Sequence, residues 1–150
     1  MPSLSDTAFP ASTACPPDML NVGVLAVFMD DDPAQRMALA MLAEVWGYRA
    51  LAGAAPKDVL PDVQAASCTP GIIIVDFRLS QDLTAYDAVA ECNAALNCAP
   101  PVIVVTGDTS QELRENVQRC GWRILHKPFP PHALQALMAE MVLERHGARA

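Results

Sequence analysis

Positive charge is scarce in this chain. Ten of its 150 residues are Lys or Arg, against 17 Asp and Glu, and the basic residues are scattered singly; lysine occurs only as Lys57 and Lys127. A formal net charge of -7 without a basic cluster excludes a nucleic-acid surface, which needs Lys and Arg gathered on one face. Metal-ligand spacing is missing as well. Cys15, Cys68, Cys92, Cys98 and Cys120 form no CxxC pair, and His126, His132 and His146 do not cluster, so no zinc module is present. An odd number of unpatterned cysteines in an apolar chain reads as reduced, mostly buried thiols. No apolar run approaches the length of a membrane span. The N-terminus lacks the basic start and apolar centre of a secretion signal. Together these absences predict a soluble cytoplasmic domain with no membrane insertion.

Apolar residues make up 52% of the chain and charged residues 18%, which predicts a single globular domain with a sizeable core. Residues 1–20 hold Pro2, Pro10, Pro16 and Pro17 among Ser, Thr and Ala and read as a flexible tail. The domain is expected over 21–146, with a short tail at 147–150. Within it, strand and helix alternate five times, the pattern of a parallel sheet with crossover helices.

Strands are expected at about 22–29, 48–52, 71–75, 101–105 and 122–126. The unbroken run Ile72-Ile73-Ile74-Val75 suits a strand buried on both faces. The first helix takes Asp32 as N-cap and Pro33 as first helical residue, and stops at Gly47. Met37, Met41 and Val45 give it an apolar stripe at helical spacing, read as core. A second helix near 56–66 contains Pro61, which weakens it. A third, about 84–96, is capped by Thr84. The fourth, about 110–120, opens with Thr109 and Glu112 in capping-box spacing and closes at Gly121. The fifth spans about 131–145.

Four of the apolar runs end in groups suited to one task. Val22–Met29 leads to Asp30-Asp31-Asp32-Pro33, and Ile72–Val75 to Asp76; Val102–Val105 leads to Thr106, and Ile124-Leu125 passes through His126 to Lys127-Pro128. In an open parallel sheet, ligands bind outside the carboxyl ends of the strands, so these groups converge. Asp30, Asp31 and Asp76 offer the hard oxygen ligands that Mg²⁺ (or Mn²⁺) prefers, with the Arg78 main-chain carbonyl as another. Lys127 supplies a compact positive charge and Thr106 a hydroxyl. Such a set could hold a phosphoryl group on Asp76 by positioning and charge neutralisation. Each piece also has a plainer reading. The Asp triplet could be a solvated charge run with a helix cap, Asp76 the start of a turn, and His126 a packed neighbour.

Asp-Asp-x-Pro after the first strand, Asp after the third, Thr-Gly after the fourth and Lys-Pro-Phe after the fifth resemble the receiver domain of two-component response regulators. The resemblance covers about residues 22–145. The segments Thr106-Gly107-Asp108-Thr109 and Ile124-Leu125-His126-Lys127-Pro128 are most similar to receivers of hybrid sensor histidine kinases. It implies a flavodoxin-like doubly wound sheet of five parallel strands, in the order 2-1-3-4-5, with helices on both faces. It also implies a cis Lys127–Pro128 bond and Asp76 as phosphoacceptor. Asp30 and Asp31 would organise the metal, and Thr106 and Lys127 would hold the phosphoryl group. The donor would be a histidine kinase or a histidine phosphotransfer domain, and a homodimer is left open.

Departures from the pattern bear on output. Ile124 stands where receivers usually carry Tyr or Phe. Leu79-Ser80 replaces the common Met-Pro, and Ala85 a usual Gly. Arg78 and Asp108, each two residues past a site group, are expected to pair across the pocket rim and gate water. Leu39, Ala40 and Ala43 of the first helix are expected to form a docking face for the partner. Nothing past the fifth helix reads as an output domain. Two other functions compete. A small phosphatase similar to the haloacid dehalogenase superfamily would use Asp30 as nucleophile, but it lacks a later acidic pair and a cap insertion and leaves Asp76 unexplained. A binding module could keep the fold without phosphorylation, which Ile124 permits.

Overall fold

The computed structural model describes residues 23–149, and among them five strands and five helices alternate strictly. The expected N-terminal tail lies outside the described residues. The elements are β1 (Leu25–Met29), α1 (Pro33–Val45), β2 (Arg49–Gly53), α2 (Pro56–Ala66), β3 (Ile72–Asp76), α3 (Ala85–Leu96), β4 (Val102–Thr106), α4 (Gln111–Arg119), β5 (Arg123–His126) and α5 (Pro131–Arg149). All pairings are parallel, as the alternation of strand and helix predicts, and the strand order is β2-β1-β3-β4-β5, as the resemblance implies. The last helix runs four residues beyond its expected end, to Arg149, which takes it into the residues read as a C-terminal tail.

Alternation along the central strands splits the core in two. Leu25, Val27, Met29, Ile73, Val75, Val102 and Val104 pack with Val59 and Val63 of α2, Val89 and Cys92 of α3, and Leu113 and Val117 of α4. Ala26, Phe28, Ile72, Ile74, Ile103 and Val105 pack with Leu39 and Ala43 of α1 and Leu134, Met138 and Met141 of α5. Both faces of β1, β3 and β4 are therefore covered, which is why these strands read as continuous apolar runs.

Helix ends follow local chemistry, with one correction. Asp32 caps α1, its carboxylate accepting from the main-chain N–H groups of Ala34 and Gln35 at 3.0 and 3.4 Å, and Gly47 leaves the helix at φ +101°. The cap of α4 is Ser110, whose hydroxyl accepts from Leu113 N–H at 3.3 Å, not Thr109. Pro61 is accommodated inside α2. Thr84 occupies the cap position of α3 but bonds the Asp87 carboxylate rather than a backbone N–H. Ser67 and Asn97 end α2 and α3 in the left-handed region, without the glycine that usually marks such ends.

The apolar stripe of α1 lies opposite to where the sequence put it. Met37, Met41 and Val45 are 63%, 61% and 81% exposed, whereas Leu39 and Ala43 pack against the sheet. The docking face expected of Leu39, Ala40 and Ala43 is corrected by the same rotation: Leu39 and Ala43 are buried, and Ala40 packs against that core. Small residues line the inner side of α1, facing strands that already fill the space with Phe28, Ile72 and Ile74. The cysteines differ too. Among the described residues only Cys92 is buried, with Cys68 and Cys98 half-buried and Cys120 exposed; all four are free.

Candidate functional site

The order β2-β1-β3-β4-β5 reverses direction between β1 and β3, and the groups singled out in the sequence lie at the carboxyl ends of β1, β3, β4 and β5. Asp30 follows β1. Its N–H donates to Gly53 O at 3.1 Å, its Oδ1 accepts from Asp32 N–H at 2.9 Å, and it is only 4% exposed. Asp76 closes β3 and is half-buried, while Asp31 is exposed. One carboxylate oxygen from each of the three lies within 4.8 Å of the others.

Lys127 enters from the end of β5. Its ammonium donates to Asp76 Oδ2 at 3.2 Å and lies 3.9 Å from Asp30 Oδ2. Its main-chain N–H donates to Thr106 O at 2.8 Å, and the Lys127–Pro128 bond is cis. Thr106 ends β4, buried, with Oγ1 accepting from Asp108 N–H at 3.0 Å. That contact uses a lone pair and leaves the hydroxyl proton free to be donated elsewhere.

The electrostatics follow from burial and crowding. Desolvation pushes the Asp30 carboxyl above its ordinary pKa, opposed by the Asp32 N–H and by Lys127, and reinforced by the charges of Asp76 and Asp31. Three acids thus face one ammonium. A hard divalent cation fits the remaining deficit, since the donors are all carboxylate oxygens at the spacing of one ion's coordination sphere.

Sequence reasoning missed one partner. Arg36 reaches back from α1 and donates through Nη1 to the Asp30 main-chain carbonyl at 3.0 Å, tying the helix to the acidic loop. No motif announces it, because the contact depends on the path of the loop. The expected ion pair between Arg78 and Asp108 is absent: Arg78 lies over the Phe77 ring, 5.8 Å from its centre, and Asp108 accepts from Ser110 N–H at 2.8 Å. Bonds from the Ser110 backbone and hydroxyl hold the exposed Asp108 carboxyl below its ordinary pKa. Ile124 is half-buried on β5 beside Val104, packed against the core shared with α2, α3 and α4. His126 is half-buried, and its Nε2 has no hydrogen-bond partner among the described residues.

Similarity to solved structures agrees with this geometry. The chain resembles a response regulator receiver domain from Clostridium thermocellum, with TM-score 0.69 and 17% identity, covering 85% of this chain and 99% of that one. A CheY-like receiver from Methanospirillum hungatei JF-1 gives TM-score 0.71 and 20% identity over 84% of this chain and 98% of the other. The fold is that of a receiver domain. Chemotaxis protein CheY4 of Vibrio cholerae gives TM-score 0.67 and 20% identity, over 80% of this chain and 99% of its own. No protein-family profile matches the chain, and no curated protein matches it. No helix among the described residues is long and apolar enough to cross a membrane.

Proposed function

We propose that this receiver fold works as a phosphoacceptor in two-component signalling, taking a phosphoryl group from a phosphohistidine onto Asp76. One observation carries the reading: at the switch point of the sheet, the Asp76 carboxylate is held 3.2 Å from the Lys127 ammonium and within 4.8 Å of two further acids. Asp76 attacks phosphorus through a carboxylate oxygen; the new P–O bond replaces the P–N bond, whose electron pair returns to the imidazole. Lys127 moves from the bare carboxylate to a phosphoryl oxygen, and Thr106 donates its hydroxyl to a second. Mg²⁺ bound by Asp30, Asp31, Asp76 and the Arg78 carbonyl would neutralise phosphoryl charge. Arg36 fixes the acidic loop from behind. The phosphatase reading is disfavoured because its nucleophile, Asp30, is 4% exposed and bonded to Asp32 N–H.

The donor is a histidine kinase or histidine phosphotransfer domain. Its docking surface is the outer face of α1, where Met37, Met41 and Val45 are exposed. That face continues into a groove of about 310 Å³ that includes Ala38, Lys127, Pro128 and Phe129, beside the phosphoacceptor. An exposed apolar patch of this kind, rimmed by polar groups, suits a helical partner. The segments around Thr106 and Lys127 favour a receiver of the hybrid-kinase kind, acting in the cytoplasm and catalysing only its own phosphorylation and dephosphorylation.

The test is intact mass after incubation with Mg²⁺ and either acetyl phosphate or a histidine-phosphorylated partner. A single phosphoryl adduct that is absent in Asp76→Asn is expected. No adduct from either donor, or an adduct that survives the substitution, overturns the proposal.

A further inference from the structure

Ile124 leaves β5 without the ring that receivers usually place there, yet a row of rings begins beside the acceptor itself. Phe77 directly follows Asp76 and meets Tyr86 edge-on, with centroids 5.5 Å apart and planes at 84°. Tyr86, in the first turn of α3, stacks on Trp122, with centroids 5.8 Å apart and planes at 26°. Trp122 sits in the turn between α4 and β5. The row therefore runs from the end of β3, through the start of α3, to Trp122, two residues before Ile124.

Its near end is coupled to the site by main chain. Phe77 N–H donates to Val105 O at 2.9 Å, one residue before Thr106, and Phe77 O accepts from Ala85 N–H at 2.7 Å, one residue before Tyr86. Any movement of Thr106 toward a phosphoryl group pulls on the end of β4, to which Phe77 is bonded. Phe77 and Trp122 both pack against the core lined by α2, α3 and α4, so displacement of one ring has to be met by its neighbours. Tyr86 is the member without a polar anchor. Its hydroxyl is buried and has no hydrogen-bond partner among the described residues, so an arrangement that reaches one is favoured.

We infer that the row Phe77–Tyr86–Trp122 carries the phosphoryl state of Asp76 to the surface of the α4–β5 turn, in place of a ring at position 124. This rests on the phosphoacceptor reading above. It calls for no ligand beyond those of that reading.

Trp122 reports on itself once Trp46→Phe removes the other indole. Beryllofluoride with Mg²⁺ serves as the phosphoryl mimic, its binding followed separately through the amide resonances of Asp76 and Thr106. The emission of Trp122 is expected to shift with the same midpoint as those resonances. Tyr86→Leu should abolish the emission shift while leaving beryllofluoride binding intact, and Tyr86→Phe, which keeps the stacking, should preserve it. Trp122 emission that stays constant while the amides report binding overturns the row alone, as does a full response in Tyr86→Leu. Absence of binding by the amide readout overturns the row and the phosphoacceptor reading together.

Discussion

Asp30 shows how a single residue can be set against the fold that holds it. The residue is 4% exposed, and its carboxyl shares space with Asp31 and Asp76 and has a pKa raised first of all by desolvation. A carboxyl whose pKa is higher in the folded than in the unfolded state binds more protons when folded. Its own contribution to stability is then fully present below the usual 3.8 and is lost as pH climbs through the raised value. Asp30→Asn removes that loss while its amide oxygen can still accept from Asp32 N–H. Without Mg²⁺, the variant is expected to melt a few degrees above the wild type at pH 7, the gap closing as pH falls below 3.8. Melting curves across that range check it; a variant less stable at pH 7 would show that the ionised Asp30 is held by Lys127 more strongly than burial opposes it.

At the scale of the element, α1 carries the clearest functional statement. A surface helix normally turns polar residues outward, whereas here Met37, Met41 and Val45 face solvent and the inner side is made of Leu39 and Ala43. Met41→Lys should leave stability within about 0.5 kcal/mol, as exposed substitutions generally do. It should slow phosphotransfer from a histidine-phosphorylated partner by roughly tenfold, equivalent to about 1.4 kcal/mol of lost contact. Phosphorylation by acetyl phosphate, which needs no docking, should be unaffected. Equal slowing with both donors would remove α1 as the docking face. This helix also marks where sequence reading fails. Its existence and its Asp32-Pro33 start were legible, but a helix apolar on two sides has no preferred phase until a sheet is placed under it. The cap of α4 failed for a similar reason: Thr109 and Ser110 are both cap-type residues, and only the path of the backbone selects one. The central strands β1, β3 and β4 were legible because burial on both faces leaves no polar alternation to confuse them, and the residues at the carboxyl ends of the strands carried the chemistry.

Across the whole molecule, the receiver fold gathers acids from β1 and β3 around a single ammonium, in a chain of net charge -7. Neither the Lys127 nor the Arg36 contact has a signature at the level of composition: the sheet order brings Lys127 to Asp30, whereas Arg36, six residues along the chain, returns from α1 by a local path. A cation that binds only the folded state stabilises by RT ln(1 + [L]/Kd), about 1.4 kcal/mol at ten times Kd. For a domain of this size that amounts to a rise in melting temperature of roughly 3–6 °C. Millimolar Mg²⁺ is therefore expected to raise the melting temperature, and Asp31→Asn or Asp76→Asn to abolish most of the rise. General screening of an acidic surface would also stabilise the fold, but it would do so equally for NaCl at matched ionic strength and would survive either substitution. A melting temperature that responds to NaCl and Mg²⁺ alike, in wild type and variants alike, would mean the three carboxylates do not form a cation site, and the phosphoacceptor chemistry would lose the charge that makes it feasible.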